Sequence, residues 1–117
     1  GIYVSSKGIA NGLSEIINDG ADFGPDTPNT QTLGIQEAIN YSVANGYDTI
    51  VLKNGIYYIT APFTTYSEYN IQTQIIIPPT PNGNPQHLRI TSETPVQLGI
   101  PNGPMSTSGA IIYSKPP

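Results

Sequence analysis

Cysteine is absent from the 117 residues, which excludes both a disulfide framework and a thiolate metal site. A domain of this size must then rely on its apolar core or on its neighbours. Charge is sparse as well: Asp, Glu, Lys and Arg make up 10% of the chain, against about 25% in an average soluble protein. Asn, Gln, Thr, Ser and Tyr supply the missing polarity. Such a neutral surface, rich in hydroxyls and amides, suits an extracellular, cell-surface or virion setting. The four basic residues, Lys7, Lys53, Arg89 and Lys115, are scattered and face eight acidic ones, for a net charge of −4. Phosphate neutralisation needs clustered Lys and Arg, so the balance opposes nucleic acid as a partner and disfavours a polyanionic membrane surface. No apolar run approaches the roughly 18 residues needed to span a bilayer. The start at Gly1 rather than Met leads us to expect a removed leader or a longer parent chain.

What is present is organised around one helix and many short β-prone runs. Ile2-Tyr3-Val4 suggests an added edge strand, and residues 7–12 a loop punctuated by Gly8 and Gly12. Leu13-Ser14-Glu15-Ile16-Ile17 fits a helical turn or a strand. Residues 18–29 hold too much Gly, Pro, Asp and Asn for regular structure. Ile35, Ile39 and Val43 then repeat at four-residue spacing beside Ala38 and Ser42, which predicts a helix over residues 32–45. Thr30 or Thr32 can accept a first-turn N–H, and Asn45-Gly46 supplies a left-handed stop. Gly34 inside such a helix costs about 1 kcal/mol relative to Ala and points to close packing.

Beyond Gly46 the pattern changes. Ile50-Val51-Leu52, Ile56-Tyr57-Tyr58-Ile59, Ile71, Ile75-Ile76-Ile77, Leu88-Arg89-Ile90, Val96-Gln97-Leu98 and Ala110-Ile111-Ile112-Tyr113 are β-branched or aromatic runs separated by Pro, Gly and Asn. Residues 64–70, 78–85 and 101–108 look like excursions, the second held extended by Pro79, Pro81 and Pro85. Short strands with variable loops fit a small β-sandwich or a parallel β-helix, and near-continuous apolar triplets favour the stacked solenoid.

Residues 17–59 carry a resemblance, and the rest of the chain follows it by pattern alone. Gly20-Ala21-Asp22 is similar to the "GAD" turn of right-handed parallel β-helices of the pectate-lyase-like superfamily. Gln36, Ala38 and Ile39 fall on that family's "AIQ-x-AI" helix, and Gly55-Ile56-Tyr57-Tyr58-Ile59 on its "G-x-Y-x-I" strand. Lys53-Asn54-Gly55 departs from it, since the family usually has Pro two residues before that Gly. The resemblance implies a mostly β chain: an arm and turn region at 1–31, a capping helix at 32–46, and the first two or three coils of a solenoid at 47–117. With a coil of about 20–30 residues, the far end of the stack is expected to stay open. That implies more chain, a partner subunit, or both. The family's activity would make the parent a polysaccharide hydrolase or lyase, whose acid–base carboxylates, or Ca²⁺ with an Arg or Lys base, lie several coils further on. This chain is therefore expected to carry no catalytic residue.

The remaining candidates concern binding. Asp19, Asp22 and Asp26, with Glu15 nearby, could hold Ca²⁺ through carboxylates, but they lack the alternation of an EF-hand loop. Asp in such a run also hydrogen-bonds turn backbone. Tyr66 and Tyr69, among Thr64, Thr65, Ser67, Glu68, Asn70 and Gln72, form a candidate sugar-stacking platform, or pack back on the strand beneath. His87 and Arg89, two residues apart, would share a strand face and could hold a carboxylate or sugar hydroxyl. Tyr57 and Tyr58 point to opposite faces of one strand, so one belongs to the core. Three functional expectations follow. One is a cap-and-coil segment of a secreted or virion-borne polysaccharide-binding or polysaccharide-processing protein. Another is a self-assembling fibre or filament subunit stacking further copies of itself. The last is a non-catalytic glycan-binding module.

Overall fold

The strands assemble where β-branched residues alternate sides, and the turns between them decide which strands meet. The structure, a computed structural model, describes residues 1–7, 19–66, 68–84, 87–94 and 109–117, with Tyr66 described for its backbone alone. The expectations at residues 8–18 (Glu15 among them), at Pro85, at 96–98 and at 101–108, and that for the side chain of Tyr66, lie outside the description. Elements run β1 (Ile2–Val4), α1 (Ile35–Asn45), β2 (Thr49–Leu52), β3 (Gly55–Ile59), β4 (Thr64–Tyr66), β5 (Ile71–Thr73), β6 (Arg89–Ser92) and β7 (Ala110–Ser114). The chain is thus mostly strand with one helix, and the described strands close no barrel.

Pairing is parallel and in register. β2 lies between β1 and β6, with Ile2, Ile50 and Ile90 aligned, as are Val4, Leu52 and Ser92. β3 pairs in parallel with β7, setting Tyr57 beside Ile112 and Tyr58 beside Tyr113. Parallel strands need a crossover between them. Here the interval separating β2 from β6 is 40 residues, the same spacing that brings Asn54 to Thr94. That is longer than the 20–30 expected, because the crossover includes the β4–β5 segment and a Pro-rich run.

The core forms where α1 lays one face on β1 and β2. Ile35, Ala38, Ile39 and Val43 of the helix meet Ile2, Val4, Ile50, Leu52, Tyr57, Ile59 and Ala61. Fully burying an Ile or Leu contributes about 1.5–3 kcal/mol, so this stripe is the main source of stability. Tyr57 is buried and Tyr58 exposed, as the alternation requires. Burial falls along each stack: Ile2 is 6% and Ile50 0% exposed, whereas Ile90, on the same face, is 40% exposed. Likewise Tyr57 is 0% exposed and its neighbour Ile112 53%.

Four expectations need correction. The helix begins at Ile35 rather than residue 32, because Leu33 (φ 52°) and Gly34 (φ 89°) are left-handed and cannot continue a right-handed helix. Gly34 is the N-cap, not an interior residue, and its close packing is real: a Cβ there would stand 2.6 Å from the Gly24 backbone nitrogen. Thr32 Oγ1 accepts the Gln36 N–H at 2.9 Å, and Gly46 (φ 77°) ends the helix as Asn45-Gly46 predicts. Residues 64–70 are not a plain loop, since β4 and β5 form an antiparallel hairpin. Ile75-Ile76-Ile77 is not a strand. The Gln36 carboxamide takes the place of a ladder partner, accepting the Ile76 N–H at 2.8 Å and donating to its carbonyl at 2.7 Å.

Candidate functional site

Pro78, Pro79 and Pro81 remove backbone donors from the run after Ile77, so it cannot join a sheet. It closes on itself instead. Gly83 (φ 74°) donates to the Thr80 carbonyl at 3.1 Å, Thr80 Oγ1 donates to the Asn84 carbonyl at 2.6 Å, and the Asn84 N–H donates to Asn82 Oδ1 at 3.0 Å. This turn stands beside the carboxyl end of α1. Between them lies an open depression of about 540 Å³, whose polar rim is Asp48, Thr80, Asn82, Asn84 and His87. Val43, Ala44 and Gly46 form its floor on the helix side. A smaller hollow of about 200 Å³ adjoins it, lined by Val43, Ile77, Pro78, Pro79 and Leu88 among others.

His87 and Asp48 meet here because β6 is anchored to the start of β2: the Arg89 N–H donates to the Asp48 carbonyl at 2.8 Å. The Asp48 carboxylate accepts from Thr49 Oγ1 at 3.1 Å. Imidazole, carboxylate and two carboxamides give the depression both donors and acceptors without a strong net charge. That set suits a hydroxyl-rich ligand better than a phosphate.

The other sequence candidates are dispersed. Arg89 is exposed on β6 and does not line the depression. Tyr69 is exposed in the turn of the β4–β5 hairpin, and Tyr66 pairs through its backbone with Ile71. Tyr69 does not line the depression with His87. Sequence reading missed a row of rings at the helix end. Tyr41 lies 5.8 Å from Phe23 and stacks on Tyr47 at 5.9 Å, ring centre to ring centre. Tyr41 and Tyr47 are both exposed, and Tyr47 lies between two residues that line the depression, Gly46 and Asp48. Their signal was six residues of separation across a helix stop, which no single-element periodicity detects.

Asp19 and Asp22 are held in hydrogen bonds within the fold. Asp19 accepts from Ser5 Oγ at 2.5 Å and from the Ala21 N–H at 3.2 Å, while Asp22 accepts the Tyr3 N–H at 2.9 Å. Partial burial opposes ionisation of Asp19, but these hydrogen bonds, with the Lys53 charge, hold its carboxyl below the usual range. Asp26 is exposed, and no three potential metal ligands come together among the described residues. Buried at the base of the stack, the Tyr57 hydroxyl lies 2.6 Å from the Lys53 carbonyl and 2.9 Å from that of Val4. Burial pushes its pKa upward, with the Asp19 charge adding to the effect.

The chain matches no family model, no curated protein and no solved structure.

Proposed function

We propose that this chain is the helix-capped start of a right-handed parallel β-helix of the pectate-lyase-like kind, and that it binds polysaccharide without cleaving it. One observation supports the reading above all. β2 lies in parallel register against β1, a strand that the helix covers, and β6 lies in parallel against β2, residue for residue. Binding belongs on the flank of the stack, where the depression at His87 and Asp48 adjoins the Tyr41–Tyr47 pair. A sugar ring can lay its C–H face on an exposed tyrosine while its hydroxyls reach Asn82, Asn84 and Asp48. Such a protein acts outside the cell or on a virion, needs no cofactor, and leaves cleavage to other coils or other proteins.

The test is a glycan array followed by titration calorimetry on the best ligand. Tyr47→Ala and His87→Ala should each weaken binding about tenfold, equivalent to about 1.4 kcal/mol. Tyr69→Ala, on the distant hairpin, should leave it unchanged. Absence of any glycan ligand would defeat the reading. So would turnover of a polysaccharide that disappears in His87→Ala.

A further inference from the structure

The two edges of the strand stack differ in chemistry. At the β1 edge every outward backbone group of the strand centre is used. The Tyr3 carbonyl accepts from the Asp22 and Phe23 N–H groups at 2.9 and 3.2 Å, the Tyr3 N–H donates to Asp22 Oδ2, and the Ser5 N–H donates to the Phe23 carbonyl at 2.9 Å. The 22–23 segment therefore seals that edge.

Among the described residues the opposite edge has no such seal. The N–H groups of Arg89 and Glu93 turn inward, to the carbonyls of Asp48 and Leu52. Alternation along a parallel ladder then directs the N–H and C=O of Ile90 and Ser92 away from β2. In β7 the Gly109 carbonyl and the Lys115 N–H turn toward β3, so Ala110, Ile112 and Ser114 present theirs outward. No described strand pairs with β6 or β7 on this side. Two residues on the core-facing sides of their strands, Ile90 and Ile112, are left exposed in the same layer. Unpaired backbone beside uncovered apolar side chains marks an edge that takes another strand.

We propose that a second copy of this chain covers the β6–β7 layer, related by a two-fold axis at Thr91, with β6 antiparallel to β6 of the partner. A head-to-tail repeat would need a free β1 edge to receive it, and that edge is already bonded. A two-fold contact uses the open edge twice and stops at two. Hydrogen-bond phase selects the register. With Thr91 on the axis, Ile90 faces Ser92 of the partner, and both residues have outward N–H and C=O groups, so they form a hydrogen-bonded pair. A shift of one half-step sets outward groups against inward ones and forms no ladder. Charge separates the remaining registers. The axis at Thr91 places Arg89 opposite Glu93 of the partner, once at each end, whereas an axis at Ile90 sets Arg89 against Thr91. Glu93 is exposed and holds Lys53 only at 3.5 Å, so it can receive a second cation. β7 has the same self-complementarity, its outward residues being centred on Ile112.

This inference does not depend on glycan binding, and the next coil of a longer polypeptide is its competitor for the layer. Sedimentation velocity of the 117-residue chain over a wide concentration range should show a monomer–dimer equilibrium. Arg89→Glu, which sets like charges together at both ends, should weaken the dimer at least tenfold. Adding Glu93→Arg should restore it. Because cysteine is absent from the chain, Thr91→Cys supplies a unique thiol. Residues facing each other across the axis in a non-hydrogen-bonded pair stand about 4.5 Å apart at Cα, inside the disulfide range. Mild oxidation should therefore crosslink Thr91→Cys within minutes and Tyr3→Cys, at the sealed edge, far more slowly, with far-UV circular dichroism confirming that each variant folds. A monomer at every concentration, species that grow beyond two, equal crosslinking at both edges, or a charge swap that fails to rescue would each overturn the inference.

Discussion

Tyr57 is the residue on which the two parallel sheets converge. Its ring fills the space under β1 and β2, and its hydroxyl reaches carbonyls on either side, at Lys53 and Val4. Tyr57→Phe keeps the ring and removes the hydroxyl, so it should destabilise by about 1–2 kcal/mol, the cost of leaving buried acceptors short of a donor. The same residue sets a pH dependence. Its folded pKa is raised, so its neutral form is the one the fold favours. The associated stability is fully present below the unfolded value near 10 and is lost as pH rises beyond it. Urea midpoints at pH 8 and pH 11 should therefore fall more steeply in the parent chain than in Tyr57→Phe, and equal slopes would contradict the assignment. Ser42 argues the other way. Its side chain is buried on the packed face of α1, and Oγ has no hydrogen-bond partner among the described residues. Removing a desolvated hydroxyl from a helix and gaining the better helix former should make Ser42→Ala more stable, by about 0.5–1 kcal/mol. Thermal melts would reveal the sign.

At the scale of elements, side chains stand in for missing strand partners. Gln36 brackets the Ile76 backbone, and Gln74 donates to the carbonyls of Ile59 and Ala61 at 3.0 and 2.9 Å while accepting from Ser114 Oγ at 2.6 Å. Gln36→Ala should leave global stability within about 1–2 kcal/mol but free the 75–84 run, with faster hydrogen exchange at the Ile76 amide as the readout. Unchanged protection there would mean that the prolines alone hold the segment. The same substitution also explains why part of the fold was hidden in the sequence. α1 was legible because its four-residue stripe and its Asn45-Gly46 stop are local signals, and β2 and β3 because alternation and the Gly55 turn are local too. Ile75-Ile76-Ile77 reads as a strand by composition, yet a strand needs a partner, and no local pattern reveals that a glutamine 40 residues earlier takes that role. The β4–β5 hairpin was missed because Thr, Ser, Tyr and Glu resemble loop composition when neither face is buried. In the candidate site, His87 was legible as a lone imidazole. Asp48, Asn82 and Asn84 joined it only through the crossover that returns β6 to β2.

For the molecule as a whole, the decisive property is that residues one crossover apart lie side by side while running in the same direction. Asn54 and Thr94 are one such pair, joined by an Asn54 Nδ2–H to Thr94 Oγ1 hydrogen bond of 3.0 Å across a separation of 40 residues. They continue the register of β2 and β6, whose neighbouring strands in any sheet stand about 4.8 Å apart. That spacing falls within the Cα separation a disulfide bridges without backbone movement. Asn54→Cys/Thr94→Cys should therefore oxidise within one chain. By closing a loop of this length the bond should stabilise the fold by about 4 kcal/mol in the chain-entropy account. Strain would lower the gain but leave the bond intact. The alternative arrangement, two hairpins folded into a sandwich, runs consecutive strands antiparallel and would separate these positions to opposite ends of a sheet. In that case the pair would stay reduced under conditions that oxidise Thr91→Cys dimers, or would link only between molecules. Peptide mapping after oxidation, together with thermal melts of the oxidised and reduced forms, distinguishes the two outcomes. An intramolecular bond with a raised melting temperature means that the ends of β2 and β6 lie side by side, as parallel pairing requires. Its absence would remove the parallel pairing from which the proposed two-fold contact and the proposed β-helix reading are both argued.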